Sequence, residues 1–119
     1  MNVLDNYVLG MDCGTTNIKA IILGQDGKKV AEASRPSKFL TPGPNMQEQD
    51  ANDWWRQSKE IFQSLVAQAG QEVVDRIRGI SISSHTVTLL HVDENGLPVT
   101  CAIDIMDFDE NGLYFLTAV

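Results

Sequence analysis

The sequence predicts an α/β fold in which a mixed sheet with an antiparallel meander packs against one main helix. Three observations support this. The first third of the chain alternates short apolar runs with tight-turn signals, which is typical of consecutive strands. A segment in the middle carries apolar residues at three- and four-residue spacing. Alternation of polar and apolar residues returns after residue 79. With 119 residues and no internal repeat or linker, we expect one domain or part of one.

The meander consists of three predicted strands, at residues 7–12, 18–23 and 28–34. The second turn is signalled by Asp26-Gly27, because tight hairpin turns need a positive φ that glycine adopts at little cost. The first turn spans residues 12–17.

Residues 35–49 contain three prolines and are predicted to be a loop before the main helix. Asp50 or Asn52 is the expected N-cap, and Gly70 the expected stop. The helix carries a predicted apolar stripe: Trp54, Trp55, Ile61, Phe62, Leu65, Val66 and Ala69. We expect the two tryptophans to be core residues, although one of them could reach a ligand cleft. A short second helix is predicted within residues 71–77.

The last part of the chain is predicted to form strands. Residues 79–84 alternate small polar and apolar side chains, so we expect one buried face. Strands at residues 87–92 and 99–105 are expected to flank a hairpin turn at Glu94-Asn95-Gly96.

Composition excludes several classes of function. The net charge of −7, with scattered basic residues, disfavours binding to nucleic acid or to anionic membranes. We expect no signal peptide, because residues 1–6 carry no basic residue and no long apolar run follows, and no apolar run approaches the roughly 20 residues needed to span a bilayer. Cys13 and Cys101 match no metal-binding spacing, so we expect free thiols and a cytoplasmic protein rather than a disulfide.

Residues 12–19, Asp-Cys-Gly-Thr-Thr-Asn-Ile-Lys, carry the most informative chemistry. A small residue at Gly14 lets backbone amides face a phosphate, while Thr15 and Thr16 add hydroxyl donors. Lys19 adds positive charge, and Asp12 is suited to a hydrated Mg²⁺. The alternative is a hairpin whose Asp and Thr side chains bond their own turn. The residues of this loop alone leave both open.

Three segments, in order along the chain, resemble a known family. Residues 12–19 are similar to the first phosphate loop of the actin-like ATPase superfamily. Residues 47–55, Gln-Glu-Gln-Asp-Ala-Asn-Asp-Trp-Trp, resemble the Glu-Gln-Asp…Trp-Trp segment of FGGY carbohydrate kinases. Residues 93–98, Asp-Glu-Asn-Gly-Leu-Pro, resemble the Asp-x-x-Gly-x-Pro hairpin of the same family. The resemblance covers residues 7–107.

This resemblance implies an incomplete ribonuclease-H-like (actin-like ATPase) domain from an ATP-dependent kinase. Such an enzyme transfers the γ-phosphate of ATP to a hydroxyl of a sugar, ketose or polyol, with ATP and Mg²⁺ bound in a cleft. The implied ATP-binding residues are Asp12, Gly14, Thr15, Thr16 and Lys19, with Asp12 also at the metal. The family's catalytic aspartate lies beyond Val119, so we expect this chain alone to be inactive.

The implied sugar-side residues are His85, Thr86 and Asp107, and here the sequence departs from the family. Relatives carry Gln where His85 stands, and Arg-Glu or Met-His where Thr86 and Val87 stand. Neither glycerol nor xylulose is therefore predicted as the substrate. His85 could bond a substrate hydroxyl, or it could be satisfied by neighbouring strand groups. Asp107 matches the Asp of a Trp-x-Asp-x-Arg stretch whose Trp and Arg are missing.

The boundaries of the resemblance leave alternatives. We expect residues 1–6 to be a flexible start and residues 108–119 to be a divergent tail of a partial domain. One alternative function is a nucleotide-binding or regulatory module without kinase activity. Another is a structural element that is stable only as a homodimer.

Overall fold

The three opening strands form the predicted antiparallel meander in a computed structural model that describes residues 2–44, 46–85 and 88–104. They are β1 (Tyr7–Cys13), β2 (Asn17–Gly24) and β3 (Lys29–Pro36). The β2–β3 turn contains Gly27 at φ 79°, as the Asp-Gly signal predicted. Each strand is within about two residues of its predicted bounds.

A fourth strand makes the sheet mixed. Strand β5 (Ile77–Ser84) lies parallel to β1, and the order across the sheet is β3-β2-β1-β5. Because β1 and β5 are parallel, their carboxyl ends reach the same edge of the sheet, with Cys13 opposite Ser84.

The main helix, α1 (Ala51–Ala69), has both predicted end signals. The Asp50 side chain accepts a hydrogen bond from the Asn52 amide, which makes Asp50 the N-cap. Gly70 ends the helix at φ 85°. The second helix, α2 (Gln71–Val74), is shorter than predicted because β5 begins at Ile77.

The core lies between α1 and one face of the meander. It is built from alternate strand residues, from one stripe of α1 and from one residue of α2, with these buried members: Tyr7, Leu9, Met11, Ile18, Ala20, Ile22, Ala31, Ala33, Ile61, Leu65, Ala69 and, on α2, Val73. Trp54 and Phe62 pack against it as partly buried residues. Fully burying an aliphatic side chain of this size is worth about 1.5–3 kcal/mol, so this cluster dominates the stability of the described part.

Three predictions about burial were wrong. Val66 belongs to the predicted apolar stripe but is 36% exposed. Trp55 is 65% exposed and not a core residue, because it lies one position beyond the stripe that faces the sheet. Strand β5 has no buried face: Ile80 and Ile82 are 65% and 63% exposed. Helix α1 packs mainly on β2 and β3, and Ile77, at the start of β5, is the residue of that strand that packs against the core.

A second, smaller sheet consists of β4 (Glu48–Gln49), β6 (Thr88–Leu89) and β7 (Ala102–Asp104). The order across this sheet is β4-β7-β6. The predicted loop at residues 35–49 therefore ends in a strand, because pairing with β7 orders its last two residues. The predicted hairpin turn forms with Gly96 at φ 77°.

The fold does not test the two terminal segments that were predicted, a flexible start at residues 1–6 and a divergent tail at residues 108–119. Val3 and Leu4 pack against the core, and the Leu4 amide donates to the Tyr7 hydroxyl at 2.8 Å. The flexibility of residues 1–6 stays a prediction. Residues 108–119 lie outside the described residues.

Candidate functional site

The Gly-Thr-Thr loop lies at the sheet edge where β1 and β5 both end. Residues 14–16 connect β1 to β2. The Gly14 amide donates to the Asn17 carbonyl at 2.9 Å, and a Cβ on Gly14 would lie 2.8 Å from that same oxygen. Such a contact is too close for a side chain, so the path of the loop requires glycine at this position.

The carbonyl groups of this loop are held by the segment that follows β3. The Ser37 hydroxyl donates to the Gly14 carbonyl at 3.2 Å, and the Ser37 amide donates to the Thr16 carbonyl at 2.8 Å. Between them, Gln49 Nε2 donates to the Thr15 carbonyl at 3.0 Å. All three consecutive carbonyls therefore have partners within residues 37–49.

The amide groups of the loop are consequently directed the other way. In a trans peptide the N–H and C=O bonds point in opposite directions, so the amides of Thr15, Thr16 and Asn17 face away from residues 37–49. Among the residues that the structure describes, the amides of Thr15 and Thr16 have no acceptor. Successive amides that face one side form an anion-binding concavity, which suits a phosphate.

Asp12 lies beside this loop on the sheet face opposite α1. It is in register with Lys19 on β2 and with Ser83 on β5. The Ser83 hydroxyl donates to Asp12 Oδ1 at 2.9 Å. A depression of about 290 Å³ is lined by Asp12, Lys19, Ser83 and their neighbours on this face.

Lys19 is paired with a carboxylate. Its Nζ lies 2.6 Å from Glu32 Oε1, and Lys29 bonds the other oxygen of Glu32. Hydrogen bonds from Lys19 and then Lys29 lower the pKa of Glu32 to about 2. A phosphate at the loop would compete with Glu32 for the Lys19 ammonium.

The residues at this edge suit a magnesium ion carried by phosphates. The described residues contain no group of three or more metal-ligating side chains. Mg²⁺ in phosphoryl-transfer sites is usually held by one or two carboxylates, with waters and substrate phosphates as the other ligands. One exposed carboxylate, Asp12, beside an anion-binding loop matches that donor set.

His85 directly follows β5, beside the end of β1, and contacts protein groups. Its backbone amide donates to the Cys13 carbonyl at 3.1 Å, and its Nδ1 lies 2.9 Å from the same oxygen. A carbonyl only accepts, so Nδ1 carries the proton in this contact. The ring also meets Trp54 edge-on, with centroids 5.8 Å apart. These contacts support the alternative in which His85 bonds neighbouring protein groups. That His85 also bonds a substrate hydroxyl stays a prediction.

A cavity of about 260 Å³ adjoins His85. Its lining is Cys13, Gly14, Ile18, Trp54, Ser84, His85, Thr88 and Leu90. Burial, and secondarily the charge of Asp12, raises the pKa of the Cys13 thiol. Cys101 is likewise a free thiol. Trp54 reaches this cavity, whereas Trp55 does not line it.

Two predicted sugar-side residues, Thr86 and Asp107, lie outside the described residues. The structure instead adds two residues that the sequence did not single out, Ser37 and Gln49. Gln49 belongs to the Glu-Gln-Asp segment, which was the available signal, but no local pattern connects it to a loop 34 positions earlier.

In the described part of the chain, neither helix combines the length and the apolar character needed to cross a bilayer.

Comparison with known proteins agrees with this geometry. Residues 7–109 match the N-terminal domain of the FGGY family of carbohydrate kinases. The chain is 37% identical over 102 residues to a xylulose kinase of Staphylococcus epidermidis, covering 85% of this chain and 20% of that protein. It is 32% identical over 100 residues to a glycerol kinase of Haloferax volcanii, covering 83% and 19%.

Among solved structures, the xylulose kinase of Rhodospirillum rubrum superposes with a TM-score of 0.84 at 28% identity. The match covers 95% of this chain and 23% of that one. The chain thus spans about one fifth of the length of its relatives. The similarity confirms the predicted fold class, a partial actin-like ATPase domain with a mixed sheet. The chain belongs to the FGGY family of carbohydrate kinases, of which it matches the N-terminal domain.

Proposed function

We propose that the protein carrying this chain transfers the γ-phosphate of ATP to a hydroxyl of a sugar, ketose or polyol. The observation that carries the proposal is the loop at residues 14–16, whose carbonyls are bonded on one side, so that the amides of residues 15–17 face the other. Membership of a carbohydrate kinase family supplies the reaction class.

In this proposal the chain binds and orients the phosphates of ATP. Phosphoryl transfer depends mainly on positioning and on stabilising charge at the transferred group. The amides and hydroxyls of Thr15 and Thr16 hold phosphate oxygens. Because Gly14 has no side chain, the phosphate can approach the backbone of the loop closely. Lys19 supplies positive charge once a phosphate draws it from Glu32. Asp12 would hold Mg²⁺, directly or through its waters, and that ion would neutralise phosphate charge.

The remaining roles are proposed for His85, for residues outside the described part and for residues outside this chain. Thr86 and Asp107, with His85, are proposed to face the sugar or polyol. The base that accepts the proton of the acceptor hydroxyl is proposed to come from another part of the whole protein. We also propose a cytoplasmic location, where the free thiols of Cys13 and Cys101 persist. A homodimer remains a prediction that sizing of the purified protein would decide.

The first experiment is the intact mass of the native gene product, because this identifies the protein to assay. ATP consumption is then measured with a panel of ketoses and polyols. Asp12→Ala and Lys19→Ala should each lower turnover by roughly 100-fold or more. The matched controls Asp5→Ala and Lys59→Ala change exposed charges away from the loop and should leave turnover unchanged.

Two results would overturn the proposal. One is a wild-type product that binds ATP but phosphorylates none of the acceptors, which would indicate a nucleotide-binding module without kinase activity. The other is turnover that survives Asp12→Ala unchanged, since the proposed metal and phosphate site would then be unnecessary.

A further inference from the structure

We propose that Gln49 and Ser37 are positioning residues that hold the phosphate loop in its binding conformation. The proposal rests on the proposed function in one respect, that the ligand of the loop is a phosphate. Neither residue is expected to touch that ligand. Both act through the carbonyls of residues 14–16, which point in the direction opposite to the binding amides of the same peptide groups.

Gln49 is the more constrained of the two. Its side chain is fully buried, and it lies on β4, paired in register with the buried Ala102 of β7. The second sheet therefore fixes Gln49, and its Nε2 fixes the Thr15 carbonyl at 3.0 Å. The peptide between Thr15 and Thr16 cannot turn over without breaking this bond, so the Thr16 amide keeps its direction.

The other end of the Gln49 amide shows that stability alone does not explain this residue. Its Oε1 is buried and has no hydrogen-bond partner among the described residues. A buried acceptor without a partner is unfavourable, and an apolar side chain of similar size would avoid the penalty. The atom of Gln49 that has a partner is Nε2, which donates to the loop.

Ser37 holds the two peptide groups that flank the one bonded by Gln49. Its hydroxyl bonds the Gly14 carbonyl at 3.2 Å and its amide bonds the Thr16 carbonyl at 2.8 Å. With Gln49, it orients three consecutive peptide groups before any ligand arrives. Donors that are already oriented bind an anion more tightly, because binding need not order them.

The test uses the native gene product, with inorganic pyrophosphate as the probe because it requires no adenine pocket. Gln49→Met keeps the size of the side chain and removes its amide group, both the Nε2 donor and the Oε1 acceptor. We expect an unchanged or raised melting temperature, faster hydrogen exchange at the bonded amides of Gly14 and Ser37, and an affinity for pyrophosphate about 3- to 10-fold weaker, the effect of one hydrogen bond. Ser37→Ala removes only the hydroxyl bond and should act in the same direction.

The chain offers a matched control in Gln57. This glutamine is 3% exposed, donates through Nε2 to Asp53 at 2.7 Å, and also has a buried Oε1 without a partner in the described ranges. It lies on α1 and makes no bond to the loop. Gln57→Met should leave loop exchange and pyrophosphate affinity as in the wild type.

The inference is overturned if Gln49→Met and Ser37→Ala both match the wild type in loop exchange. It is also overturned if Gln57→Met weakens pyrophosphate binding equally, because the effect would then be a general loss of stability. If Gln49→Met fails to fold, Ser37→Ala decides by the same two measurements. If the wild type binds neither pyrophosphate nor ATP, the proposed function fails, while the exchange comparison still decides whether Gln49 and Ser37 hold the loop.

Discussion

Replacing Gly14 with alanine tests the loop geometry most directly. The added Cβ would lie 2.8 Å from the Asn17 carbonyl oxygen, closer than any ordinary contact, and that oxygen is backbone. The loop must therefore shift, which strains or breaks the 2.9 Å bond from the Gly14 amide to the same oxygen. The lost bond and the displaced backbone together should destabilise the protein by about 1–3 kcal/mol.

The same shift moves the amides of Thr15 and Thr16, so phosphate binding should weaken as well. We expect the affinity for pyrophosphate to fall roughly tenfold or more, the equivalent of about 1.4 kcal/mol. Urea denaturation measures the first effect and calorimetric titration of the native gene product measures the second.

Gly79→Ala is the matched control. Gly79 lies on β5 and outside the lining of the depression at Asp12, and a Cβ there would meet only Val8 Cγ1 at 3.9 Å, an ordinary contact. This variant should stay within about 0.5 kcal/mol of the wild type and bind pyrophosphate normally. If Gly14→Ala and Gly79→Ala behave alike in both assays, the loop does not have the geometry described.

Three further predictions concern the framework around the site. Ile61→Ala removes a fully buried side chain from α1 and should cost about 2–5 kcal/mol in urea denaturation; a loss similar to that of the exposed Val66→Ala would contradict the packing of α1. Asp50→Ala removes the N-cap bond to the Asn52 amide and should cost about 0.5–2 kcal/mol by thermal denaturation, whereas no change would argue against the cap. The lysine bonds that lower the pKa of Glu32 from 4.5 to about 2 contribute stability above pH 4.5, and this contribution is lost as the pH falls toward 2. Glu32→Gln should therefore be less stable than the wild type at neutral pH and low salt, with a difference that shrinks between pH 4.5 and 2; a difference independent of pH would refute this.

Much of the fold was predictable because its signals are local. The Asp26-Gly27 turn, the Asp50 cap and the Gly70 stop each depend on the backbone preferences of one or two residues, and all three formed as predicted. The stripe on α1 correctly predicted Ile61, Leu65 and Ala69 as buried.

Burial on β5 and at Trp55 was not predictable in the same way. A pattern of alternating or periodic apolar residues identifies a face but not what covers it. On β5 the alternation is present, yet α1 packs two strands away and leaves Ile80 exposed. Trp55 lies at the margin of the stripe. There, a small rotation of the helix about its axis decides whether a side chain is buried or exposed.

The candidate site, too, was predictable from the sequence in part only. The sequence by itself determined the composition of the loop at residues 12–19, the glycine that its path requires, and the family to which the motifs point. Only the tertiary structure decided which groups hold that loop, because Ser37 and Gln49 lie 23 and 34 positions from their partners. It also paired Lys19 with Glu32 across neighbouring strands. Contacts at such separations depend on strand register and on the docking of one sheet beside another, and no short stretch of sequence encodes either.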